Sequence, residues 1–148
     1  MKPFDLHSVI FAKHSQHVVL VHFPIALCFV AVMFDFIAQW KKSRVLAEAA
    51  YYNLLVAAIA TIPVIATGLL AWHFQLEGQR LKGTLLLHLV LGSVSACMIW
   101  LVWSLHFRAR RNPQRGLPVW RFPIELAAAA IVALTAHLGG FLSGVNGG

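Results

Sequence analysis

The chain has 148 residues, 59% of them hydrophobic and 11% charged, with a mean hydropathy of +0.75. A soluble domain of that length needs far more polar surface, so the composition specifies an integral membrane protein. The net charge of +7 fits loops that set membrane topology and does not call for nucleic acid as a partner.

Residues 1–17 alternate apolar and polar groups and read either as a short interfacial helix or as a disordered tail. They lack the continuous apolar core of a cleavable signal. The first span runs from about 18 to 40, enough at 1.5 Å per residue to cross a hydrocarbon core of about 30 Å. It carries His22 and Pro24 near its start and Asp35 near its end. Trp40, Lys41, Lys42 and Arg44 then form an aromatic and basic anchor. The second span, about 49 to 74, has Pro63 in its middle and ends in Trp72-His73-Phe74. Thr61 and Thr67 are placed to bond carbonyls that the proline frees.

The third span, about 84 to 106, carries His88 in its second turn, with Gly92 and Ser95 below it on one stripe. The stretch from Phe107 to Arg121 is basic, contains Pro113 and Pro118, and reads as a loop. The fourth span, about 122 to 143, ends at His137-Leu138-Gly139-Gly140. Cys28 and Cys97 lie within spans, in no metal or haem-attachment spacing. The expected fold is all-α, an antiparallel four-helix membrane bundle forming a single domain over residues 1–148, with no internal repeat evident.

Eight of the 12 Lys and Arg residues fall in the two loops at one end: Lys41, Lys42, Arg44, Arg108, Arg110, Arg111, Arg115 and Arg121. Lys2, Lys13, Arg80 and Lys82 lie at the other. The positive-inside rule makes the first set cytoplasmic and puts both termini in the periplasm of a bacterial inner membrane. His22, His73, His88 and His137 then share the periplasmic leaflet, with His14 and His17 just above them. His106 alone is assigned to the cytoplasmic end.

Imidazoles at one level suit haem b, whose iron takes two axial nitrogens and whose flat ring needs small residues beside them. Gly92 and Ser95 lie beneath His88, and Ala133 and Ala130 beneath His137, so these two rank first as axial ligands. His22 ranks third and His73 fourth. Arg80 is placed to pair with haem propionates or to snorkel at the interface. The competing reading makes each histidine an interfacial anchor or a helix–helix hydrogen-bonding group. Asp35 lies about 220° around the helix from His22; it is expected to bond a neighbouring helix or a basic loop residue, with no catalytic role.

Residues 17–35, HVVLVHFPIALCFVAVMFD, resemble the opening of the domain of unknown function 2231 family of small bacterial membrane proteins with about four spans. The likeness rests on His17, Val21, His22, Phe23, Pro24, Ile25 and Asp35. AHLGGFLSGV at 136–145 is similar to the Gly-Gly ending of the family's last span, and His88 fits the family's histidine in span three. One branch of the family is fused or adjacent to c-type cytochrome domains and carries a histidine where His137 stands. Val18 departs from the family's proline, and Ser143-Gly144-Val145 from the Thr-His-Gly of that branch. The resemblance implies electron transfer by association.

Together these readings lead to one expectation. The chain would be a non-catalytic electron-transfer subunit of a respiratory complex, binding haem b and working with a quinone or a c-type cytochrome in the lipid bilayer. A cofactor-free subunit packing within a larger membrane complex is the alternative. A metal-ion or proton pathway on the same histidines is the third.

Overall fold

The structure is a computed structural model and describes residues 13–75, 80–112, 114 and 116–143. The proposed interfacial helix lies almost wholly outside the described residues. Among the described residues there are four helices: α1 (Lys13–Lys41), α2 (Arg44–Gln75), α3 (Gly83–Arg111) and α4 (Arg121–Leu142). All four are long and apolar enough to cross a membrane, and among the described residues there is no strand.

The helices run past the expected spans at the end carrying the basic loops, here called the basic end. Only Lys42 and Ser43 separate α1 from α2, with Lys42 in a left-handed conformation (φ 50°) that tightens the reversal. The stretch after residue 106 is helical to Arg111 rather than loop. Arg110 explains the extension: it pairs with Glu48 and lies 4.7 Å from the Tyr51 ring centroid, tying α3 to α2.

Both α1 and α3 pack against α2 and α4, leaving α1 diagonal to α3 and α2 diagonal to α4. Small residues allow the close approach. Ala57 and Ala58 of α2 meet Cys28, Ile99 and Val132, and Ala31 and Ala128 meet Leu54 and Val102.

Burial reveals an internal repeat that residue identity hides. On α1 and α2 the buried set includes Pro24, Cys28, Ala31, Asp35, Ala50, Leu54, Ala57, Ala58 and Thr61. Moving each by the same offset that takes 24 to 95 gives Ser95, Ile99, Val102, His106, Arg121, Glu125, Ala128, Ala129 and Val132. Every one of these is buried as well. The two hairpins, α1–α2 and α3–α4, therefore share one packing frame. Because α1 and α3 run in the same direction, the hairpins are related by an axis along the bundle. Residue identity hides the repeat because equivalent positions share burial alone: Ala50/Arg121 and Leu54/Glu125 differ in both size and polarity. Few positions keep the same residue; Ala57/Ala128, Ala58/Ala129, Gly68/Gly139 and His17/His88 are among them.

The buried residues cluster toward the basic end. None of residues 16–23, 62–70, 84–94 or 133–142 is fully buried. The opposite, open end is held by two matching contacts. His17 on α1 places Nδ1 3.1 Å from the Val64 carbonyl, and His88 on α3 places Nδ1 3.1 Å from the Thr135 carbonyl. Each ring lies over a glycine. A Cβ on Gly68 would stand 2.9 Å from His17 Cε1, and one on Gly139 would stand 3.1 Å from His88 Cε1.

Candidate functional site

At the basic end, three helices bring four ionisable side chains together. Asp35 (α1), His106 (α3), Arg121 and Glu125 (α4) are each no more than 4% exposed. The site lies about 6–9 Å inside the helix ends, taking 1.5 Å per residue from Lys41, Arg111 and Arg121.

Helical geometry sets these positions. Arg121 opens α4 and stands one turn from Glu125, so both project from the same face. Arg121 Nε donates to Asp35 Oδ2 at 2.6 Å and lies 3.7 Å from Glu125 Oε1. Its Nη1 donates to the Pro118 carbonyl at 3.2 Å, and its guanidinium carbon sits 4.1 Å from the Phe122 ring centroid. His106 Nε2 is 2.9 Å from Glu125 Oε1. The remaining oxygen, Glu125 Oε2, is buried with no hydrogen-bond partner among the described residues. Asp35 and His106 occupy equivalent places in the two hairpins. The equivalents of Arg121 and Glu125 on α2 are Ala50 and Leu54, both buried and apolar, so α2 contributes no charge at these positions.

Asp35, His106 and Glu125 offer three ligand atoms within 4.8 Å of one another. Arg121 already supplies the positive charge in contact with both carboxylates, so the donor set is not directed at a metal ion.

Two carboxylates face one guanidinium. With His106 neutral the cluster carries one net negative charge, and one added proton makes it neutral. A net charge held out of water costs several kcal/mol. The His106–Glu125 contact can be made as N–H···O or as O–H···N, according to which partner carries the proton between them.

The expectation for Asp35 is met: it pairs with a basic residue at the loop end. Arg121, counted above as a loop charge, turns into the bundle. The other seven basic residues still fall at or near the helix ends on that side, so the charge bias persists. Glu125 was missed altogether; its signal was a carboxylate four residues after an arginine at the start of an apolar run.

The histidines ranked as haem ligands lie toward the open end on different faces. His88 is half-buried and bound to Thr135. His137 is exposed, with its ring edge-on to Phe141. Thr135 and Gly139, which carry His88, each lie two residues from His137, about 200° around the helix. The two histidines therefore occupy opposite sides of α4. His22 is exposed and its Nδ1 lies 2.6 Å from the carbonyl of Val18 in its own helix. His73 is exposed against Phe74. Arg80 is exposed ahead of α3.

The small-residue stripes are also in use. A Cβ on Gly92 would lie 3.7 Å from Thr135 Cγ2, and Ser95 Oγ is 2.9 Å from Thr135 Oγ1. The stripe below His88 thus receives α4 itself, while Ala130 and Ala133 face outward. The fold thus directs the His88 and His137 imidazoles to opposite sides of α4 and does not bring them together.

Four apolar helices around a buried ionic cluster define a polytopic membrane protein with a polar site near one face. A family model described as predicted membrane protein, DUF2231, matches residues 13–147, and the chain belongs to that family. No curated protein and no solved structure matches it.

Proposed function

We propose that this chain is a proton-binding membrane module whose working site is the Asp35–Arg121–Glu125–His106 cluster. One observation carries the reading: two carboxylates and one guanidinium are buried in mutual contact beside a histidine. Ionisable groups at membrane depth are expensive, and such groups mark proton and ion sites by default. The pair His106–Glu125 holds the exchangeable proton, while Arg121 fixes both carboxylates. In the orientation set by the basic loops, the chain sits in a bacterial inner membrane with both termini periplasmic and the cluster on the cytoplasmic side. It acts as a subunit that takes up and releases a proton for a larger assembly, without catalysing a reaction itself.

The test is infrared difference spectroscopy on the full chain in nanodiscs between acid and alkaline pH. A protonated-carboxyl band should appear on acidification, vanish in Glu125→Gln and shift in His106→Gln. A spectrum with no carboxyl band assignable to Glu125 removes the proposal.

A second reading, electron transfer through haem b, draws on His88. Its Nδ1 faces a backbone carbonyl, the orientation that metal-ligating histidines take. That reading needs a second axial ligand from somewhere other than His137 of the same chain. A dithionite-reduced absorption spectrum with sharp alpha and Soret bands would establish it.

A further inference from the structure

The cluster is not equally closed on its two sides. Toward the open end, the layer formed by Cys28, Ala57, Ala58, Ile99 and Val132 seals it. Nine apolar residues lie between Glu125 and Thr135, the next polar side chain along α4, a rise of about 15 Å of helix. Toward the basic end there is a crevice of about 200 Å³ between the end of α1, the Lys42–Ser43 turn and the start of α4. Of its lining residues Asp35, Arg121 and Ala38 are buried, Ala47 is half-buried, and Lys42 and Arg44 are exposed, so the last two mark its outer side.

We propose that the cluster exchanges its proton with the basic-loop side alone, through this crevice, with Asp35 as the first acceptor. This rests on the proton-binding reading above and assigns its route. Asp35 is the one proton acceptor of the cluster that lines the crevice. Its carboxylate lies within 4.8 Å of the ligand atoms of both Glu125 and His106. A proton from water binds an Asp35 oxygen and weakens the ion pair with Arg121. It then passes to the Glu125–His106 pair, and Asp35 regains Arg121. One proton enters, no electron moves, and the cluster goes from one net negative charge to neutral. The charged and titratable groups facing Asp35 are Arg121 and Glu125 from α4, His106 from α3, and Lys42 and Arg44 at the crevice mouth. From α2, Ala47 shares the crevice lining with Asp35, and within α1 the Cys28 thiol stands two turns away.

The full chain is reconstituted in vesicles, and the two orientations are separated with an affinity tag at the C-terminus. The pH is stepped on the outer face only, and the Glu125 carboxyl band is followed in time. The band should respond at least about tenfold faster, a barrier difference of about 1.4 kcal/mol, when the basic loops face outward. Ala47→Phe, which fills the crevice wall, should slow that response and leave the final amplitude unchanged. Equal rates in both orientations, or an unchanged rate in Ala47→Phe, overturn the route and leave the proton site standing. No band in either orientation and none in detergent overturns the proton reading itself, and the route with it.

Discussion

The hairpins α1–α2 and α3–α4 share a burial frame and differ in what they place in it. At the two positions nearest the basic end, α2 buries Ala50 and Leu54 where α4 buries Arg121 and Glu125. At the open end the hairpins stay alike, each resting a histidine on a glycine of its own second helix. The backbone arrangement therefore does not require charge; a hairpin of this shape closes equally well over alanine and leucine. Of the two second helices only α4 carries buried charge, and its Arg121 meets Asp35 of the other hairpin.

The largest effect should come from breaking that asymmetry on one side. Arg121→Met leaves two carboxylates buried without their cation and should cost about 3–5 kcal/mol, read as thermal unfolding of the chain in nanodiscs. Giving the second hairpin the first one's residues, Arg121→Ala with Glu125→Leu, and neutralising the partner with Asp35→Asn, should recover most of that loss. A triple variant as unstable as Arg121→Met would show that the charges shape the bundle itself.

The open end predicts an equal response from both copies. Gly68→Ala and Gly139→Ala each push a methyl against an imidazole held by a carbonyl and should each cost about 1–3 kcal/mol. His17→Ala should offset the first and His88→Ala the second. If only one glycine responds, the equivalence of the two hairpins fails at that end.

The smallest effect sharpens the difference between Pro24 and its counterpart. Ser95→Ala removes the hydrogen bond to Thr135, whose hydroxyl still bonds the Ile131 carbonyl. The cost should fall at the low end of about 0.5–1.5 kcal/mol, measured by the same unfolding transition.

Much of the fold was legible because bilayer thickness writes itself into sequence as runs of about twenty apolar residues. The four spans follow from that, and the observed helices exceed them where Arg110 and the Lys42–Ser43 turn extend regular structure. The site was only half legible. Asp35 stood out as a carboxylate in an apolar run, but its partner lies 86 residues away. Arg121 sits beside Pro118 and Arg115, where local composition reads as loop. The histidines show the limit most clearly. Span direction fixes which end of the bundle a residue occupies, but it leaves open which side of the helix that residue presents. His88 turns inward to Thr135, and His137, at the same end, turns out.

The one-sided placement of charge also governs which hairpin can pair with which. Two α1–α2 hairpins from separate chains, docked on each other in this frame, would bury two aspartates with no cation between them. Two α3–α4 hairpins would crowd two arginines, two glutamates and two histidines about one axis. Only an unlike pair places the second hairpin's Arg121 against the first hairpin's Asp35; two first hairpins would leave both aspartates unpaired, whereas two second hairpins would balance arginine against glutamate.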